Sequence, residues 1–289
     1  MNTVIKVQHK VRQSTLIDRR RAIERVIKSV SLNLGEPLTM EEMAKMAYMS
    51  PFHFNRVFHQ VTGLPPAQFL YAMRLEKAKC LLLTTKMSVT NICFEVGYNS
   101  VGTFTSRFTE LVGLSPREYR RLAKQIRLFD WKHLFREGWQ PENEMAIEPF
   151  VKGKIFAPKN FEGLIFVGLF EQMIPQNRPV AGTMLTRGGS FCLSSLLQGD
   201  YFLMAAALPR AEDALEYLLP DFSKLLVGVR ETPLHIQSAN DKESIKIELR
   251  PFAVTDPPIL LALPNLLADG ISKLQSKMDG RDKLAIWKR

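Results

Sequence analysis

Displacing the sequence by fifty positions lays Tyr48 on Tyr98, Ser50 on Ser100, Phe54 on Phe104, Phe58 on Phe108, Gly63 on Gly113, Leu64 on Leu114, Pro66 on Pro116 and Phe69 on Tyr119. Self-similarity at one displacement means a single supersecondary unit used twice. Each copy reads as a short helix, a tight turn and a second, capped helix with Phe at i and i+4, the order of a helix-turn-helix. That spacing puts the phenylalanines on one face, so they are expected to anchor the second helix in a core and not to stack on bases. Residues near the N-terminus of that helix then face outward, where a roughly 12 Å major groove admits one helix.

The flanking pattern completes an all-α domain. Ile23, Val26, Ile27, Val30, Leu32 and Leu34 recur at helical spacing until Gly35-Glu36-Pro37. Thr39 with Glu42 makes a capping box before Met40 to Ala47, and Ser50-Pro51 opens the next helix with a cap and a proline. Pro66 to about Leu83 forms a connecting rod roughly 25 Å long. Two recognition helices on such a rod suit successive major-groove segments about 34 Å apart, any shortfall being met by bending the duplex.

Charge separates the halves. Up to Gln125 there are nineteen Lys and Arg against nine Asp and Glu, and beyond it twenty against twenty, so the net +10 lies wholly in the first half. A one-sided basic module beside a neutral one points to a polyanion, since each neutralised phosphate releases counterions. The positives are spread over several helices and not gathered opposite one apolar face, which disfavours a membrane-surface helix. With 46% hydrophobic and 24% charged residues, no apolar run near the roughly 20 residues that span a bilayer and no signal-peptide pattern, a cytoplasmic, nucleoid-associated protein is expected. Cys80, Cys93 and Cys192 make neither a disulfide framework nor a zinc spacing. His9, His53, His59, His133 and His235 show no ligand pattern, and no glycine-rich phosphate loop is present, so no metal or cofactor is expected.

The segments Ser50 to Phe58, Thr62 to Pro66, Val96 to Tyr98, Phe104 to Phe108 and Gly113 to Arg120 resemble the AraC/XylS family of bacterial transcription regulators, over about residues 20 to 124. The resemblance implies an activator that meets RNA polymerase near a promoter and reads double-stranded DNA with both recognition helices. Carried over by position, it implies base contacts from Phe52, His53, Asn55 and Arg56 in the first helix. In the second it implies Val101, Gly102, Thr103, Ser106 and Arg107. Arg56 can place its fork on guanine O6 and N7, and Asn55 can pair with adenine, each worth about 1–3 kcal/mol of discrimination; a salt bridge to Glu42 or a phosphate contact is the other use of Arg56. Phe52 can meet a thymine methyl or shield the connecting rod, and His53 can reach a phosphate or stay solvated. Val101 and Gly102 carry little hydrogen-bonding capacity, so readout by the second helix is expected to be weaker, and Arg107 is expected on a phosphate. Ser50, Ser100 and Thr90 are read as helix starts whose hydroxyls cap or meet phosphate. Arg19-Arg20-Arg21 is either a solvated helix start or a phosphate-following arm.

The expected organisation is an arm at 1–19, the double helix-turn-helix at 20–124, a connector at 125–148 and a β-rich domain at 149–289. In that last part, short alternating runs at Lys154–Phe156, Gly163–Phe170, Val180–Leu185, Phe191–Leu197, Tyr201–Ala207, Leu225–Val229 and Ile245–Phe252 predict a mainly-β, antiparallel, sandwich-like domain. Ala211 to Leu219 predicts a short helix, and Leu266 to Met278 a final one before the basic Arg281 to Arg289. Pro179 to Thr183, Gly189 to Leu193 and Leu196 to Leu203 resemble transthyretin-like sandwiches, which implies a non-catalytic domain for an effector, a protein partner or self-association as a homodimer. Relatives of the AraC/XylS type commonly place the DNA-binding part last, whereas here it comes first, so their sugar pocket does not carry over. The alternative function is a DNA-repair alkyl acceptor fused to such helices, which needs an activated thiolate. Cys80 and Cys93 sit in helical apolar patterns and Cys192 alternates within a strand, so a non-enzyme is expected.

Overall fold

Five hydroxyl side chains punctuate the helical stretch. The computed structural model describes residues 2–126, 150–194, 196–212, 214–219, 221–230, 232–237 and 245–261. Within them α1 (Asn2–Leu32) runs straight through the residues expected as an arm. Thr39 then caps α2 (Met40–Met46): its hydroxyl accepts from Glu42 N, while the Glu42 carboxylate accepts from Thr39 N at 2.7 Å. Those bonds hold the Glu42 carboxyl below the usual carboxylate range, chiefly through the Thr39 backbone. Ser50 caps α3 (Pro51–Thr62), which ends at Gly63; α4 (Pro66–Thr84) follows. At 19 residues it is roughly 28 Å long. Ser88 caps α5 (Val89–Glu95), Ser100 precedes α6 (Val101–Val112), and Ser115 with Glu118 makes a second capping box on α7 (Pro116–Ile126).

The chain divides into two compact units. One comprises Met1–Phe108 with the short segments Met173–Pro175 and Ala253–Leu260; the other comprises Thr109–Gln172, Gln176–Phe252 and Leu261–Arg289. In the first, Ile23, Val26, Ile27 and Val30 of α1 join Phe54, Val57 and Phe58 of α3 among the buried residues. Ala253–Leu260 is tied to the same unit by the buried Lys79 of α4, whose Nζ donates to Ile259 O at 2.7 Å and to Glu76 Oε2 at 2.8 Å. Burying an ammonium is costly unless it is paired, and here every close partner is an oxygen.

The second unit holds nine strands among the described residues: β1 (Val151–Phe156), β2 (Gly163–Phe170), β3 (Ala181–Leu185), β4 (Gly189–Leu193), β5 (Gly199–Pro209), β6 (Leu226–Val229), β7 (Leu234–Ile236), β8 (Ile245–Glu248) and β9 (Arg250–Pro251). The helix α8 (Ala214–Leu218) lies within the stretch expected for it. One sheet has the order β4-β1-β8; the other has β3-β2-β5-β6-β9, with β7 on β5. Alternation along β1 buries Val151, Gly153 and Ile155. Residues of both sheets, including Ile155, Phe191 and Ile247 from one and Ile165, Val167 and Leu203 from the other, share a single core.

The antiparallel expectation needs correction at one pair, because β1 and β8 run parallel, Ile155 opposite Ile247. Alternating hydrophobicity says which face is buried and nothing about strand direction, and nearly ninety residues between these strands leave ample chain for a parallel return. The run expected as one strand at 245–252 is two, β8 and β9, and the three-residue β7 is too short to show a pattern. The expected connector beyond residue 126, the final helix Leu266–Met278 and the basic end Arg281–Arg289 lie outside the described residues. No helix among the described residues is long and apolar enough to cross a membrane, and no group of metal-ligating side chains is found among them.

Candidate nucleic-acid interface

The two motifs superpose in hydrogen bonding with a slip of one residue. Tyr48 N and Met49 N donate to Lys45 O and Ala44 O, and Gly97 N and Tyr98 N donate to Phe94 O and Cys93 O. Up to the turn, then, equivalent residues are forty-nine apart. Beyond it Phe54 N donates to Ser50 O and Phe104 N to Ser100 O, which are fifty apart, so the second turn carries one extra residue, Asn99. The pairing of Tyr48 with Tyr98 is therefore corrected: Tyr98 is buried and matches Met49, while Tyr48 is 93% exposed and matches Gly97. Both turn residues are left-handed, Tyr48 at φ 55 and Gly97 at φ 81. A non-glycine residue there costs on the order of 1 kcal/mol, and an exposed ring returns little of it. Tyr48→Gly is expected to raise stability by about 1 kcal/mol, read as a higher urea midpoint at unchanged slope; a lower midpoint would mean that the ring makes a contact worth more than the strain.

In α3 the expected anchors and the expected readers separate by face. Phe54 and Phe58 are buried with their rings 5.4 Å apart, and Phe58 meets Phe69 edge-on. Phe52, Asn55 and Arg56 are exposed, and His53 is half-buried. Phe52 is 81% exposed, so it does not shield the rod. Arg56 Nη2 donates to His53 Nδ1 at 3.2 Å, since a guanidinium only donates. The salt bridge to Glu42 is not formed; that carboxylate accepts from Thr39 N and Oγ1.

In α6, Phe104 and Phe108 are buried, their rings 5.7 Å apart, and Phe104 meets Tyr98 edge-on at 5.3 Å. Gly102, Thr103, Ser106 and Arg107 are exposed and Val101 is half-buried. A Cβ on Gly102 would meet only Ser100 Oγ, at 3.7 Å, so the fold itself does not require glycine there. The Arg107 guanidinium lies 4.6 Å from the centre of the Tyr71 ring, a cation–π stack that competes with the expected phosphate contact. Ser50 and Ser100 are the caps, their hydroxyls accepting from His53 N and Thr103 N. Thr90 is not: it is the second residue of α5, and Ser88 accepts from Asn91 N at 3.1 Å.

Two further residues have no place in the sequence reading, Ser88 and Arg74. Arg74 lies on the apolar face of α4 between Leu70 and Leu75, and a lone cation in such a row is the signal that was available.

A helix-turn-helix domain model matches residues 43–122. The DNA-binding domain of AdpA, solved in complex with a target DNA, is similar to this chain at 31% identity, covering 36% of this chain and 95% of that one with a TM-score of 0.35. An uncharacterised HTH-type transcriptional regulator of Haemophilus influenzae is 40% identical over 82 residues, 28% of this chain and 28% of that protein, so the chain spans little more than a quarter of that relative's length. The TetD protein of transposon Tn10 from Escherichia coli is 35% identical over 100 residues, 33% of this chain and 72% of TetD. With the doubled motif in place and that much of TetD covered, the chain belongs to the AraC/XylS family of helix-turn-helix proteins.

Proposed function

We propose that the protein is a sequence-specific regulator of transcription, acting as an activator, that inserts α3 and α6 into successive major-groove segments of double-stranded DNA. The observation that carries this reading is the repeated division of labour: in each motif a phenylalanine pair is buried while the next face of the same helix presents polar side chains and an N-terminus. Phe52, His53, Asn55 and Arg56 read one segment, and Val101, Gly102, Thr103, Ser106 and Arg107 the other. With Ser50 and Ser100 taking His53 N and Thr103 N, the amides of Phe52 in α3 and of Val101 and Gly102 in α6 are placed to meet phosphates. Thr90, the second residue of α5, is assigned no contact.

RNA polymerase is the proposed partner on the promoter, and the cytoplasmic nucleoid the proposed location. The two sheets with a common core support a sandwich-like domain for an effector, a protein partner or a second copy of the chain. Cys93 does not suit the alkyl-acceptor alternative: burial pushes its thiol up, its S–H faces Tyr98 O at 3.8 Å, and a protonated thiol is a poor nucleophile.

Footprinting on operators recovered by genome-wide mapping tests the reading, with two protected segments on one face of the duplex expected and a single one overturning it. Binding of the full chain should also weaken with salt, log K falling against log salt by about 0.9 for each phosphate neutralised. A total slope of several units is expected; a nearly flat line would remove the electrostatic part of the proposal.

A further inference from the structure

We propose that Arg74 is a positioning residue that fixes the separation of the two recognition helices, an inference that rests on the two-helix reading above. Arg74 is 8% exposed, and a guanidinium so buried must be satisfied by its surroundings. Its Nε donates to Leu34 O at 3.0 Å and its Nη2 to Glu36 O at 2.9 Å. These carbonyls flank Gly35 in the loop that leads into the first motif. A Cβ on Gly35 would lie 2.7 Å from Glu95 O, at the end of α5, and a Cβ on Gly97 would lie 2.6 Å from Leu34 O and 2.8 Å from Arg74 Nη2. The entrance of the first motif thus rests backbone against backbone on the turn of the second, and the connecting helix drives one side chain between them.

The same face of α4 reaches the second recognition helix. Tyr71, one turn before Arg74, has its ring 6.2 Å from that of Tyr98 and 4.6 Å from the Arg107 guanidinium, and Tyr98 packs on Phe104 of α6. Arg74 therefore holds the first motif, and Tyr71 the second, from adjacent turns of one rigid rod. Without the guanidinium, the two loop carbonyls lose their donor and Gly97 loses its neighbour, leaving the motifs held only by α4 and the packing of Gly35 on Glu95. A chain so joined reads half-sites at several spacings, whereas the locked chain reads one. One added base pair turns the second half-site by roughly a tenth of a helical turn.

The lock is tested in two ways. In the full-length chain with Cys80→Ser and Cys192→Ser, nitroxides on Asn55→Cys and Ser106→Cys should give one narrow distance distribution by pulsed electron resonance without DNA. Arg74→Met should broaden it, and Arg74→Lys should broaden it less. On duplexes whose central spacing differs by one base pair, the wild type should prefer one spacing by about tenfold, and Arg74→Met by less than about threefold. If Arg74→Met does not fold, Gly35→Ala serves in its place, its methyl forcing the loop off Glu95 O. A distribution already broad in the wild type, or one unchanged in the variants together with an unchanged spacing preference, overturns the inference. A wild type that binds no duplex overturns the DNA reading, while the distance distributions still decide the lock.

Discussion

Arg56→Ala is expected to abolish preference at one base pair of the operator and leave the others in force. The guanidinium is exposed on the reading face of α3, and its bond to His53 Nδ1 uses one of several N–H donors, so a bidentate pair to guanine is available without breaking the fold. Loss of such a pair is worth about 1–3 kcal/mol, or roughly 5- to 150-fold between the right and the wrong base. A systematic set of operators, each altered at one position, reads this directly. Arg56→Lys sharpens the test: it keeps a point charge for phosphate but loses the planar fork, so discrimination should fall nearly as far as in the alanine variant while the salt slope is retained. Uniform weakening over every sequence, with a slope smaller by about 1, would instead place Arg56 on a phosphate. Because Val101 and Gly102 offer so little hydrogen bonding at the start of α6, positions under α3 should tolerate fewer substitutions than those under α6.

What the sequence disclosed and what it hid divide along the range of the interactions. The helices of both motifs, the Thr39 box and the Ser50 and Ser100 caps are written within four residues, and Phe54, Phe58, Phe104 and Phe108 declare their common face by spacing alone. The extra residue Asn99 was invisible because two tyrosines happened to fall fifty apart, and only the hydrogen bonds of the turns reveal that one is strained and solvated while the other is core. Arg107 looked free for phosphate because its partner, Tyr71, belongs to another helix. The bonds of Arg74 join residues some forty positions apart, and the pairing of β1 with β8 spans more than ninety, so neither leaves a local trace. The faces of the reading helices were therefore legible, whereas the device that holds the two faces in register was not.

Phe104→Ala should be the most destabilising single change considered, costing about 3–5 kcal/mol. The ring is 0% exposed and meets Tyr98 and Phe108 at once, so its removal loses the transfer energy of a large side chain and leaves a cavity bounded by other rings that cannot close around it. Against a typical total of about 5–15 kcal/mol, that suffices to release α6 from its motif, and it should be read as a fall in the urea midpoint together with loss of the second footprint segment. Phe52→Ala is the matched comparison. Its ring is 81% exposed, so stability should stay within about 0.5 kcal/mol, while affinity for operators with thymine beneath the start of α3 should drop. The two phenylalanines thus distinguish core anchoring from base contact by opposite signatures. If Phe104→Ala instead left the midpoint unchanged and weakened only DNA binding, its ring would be working at the nucleic acid, and the face of α6 assigned here to the interior would have to be turned outward.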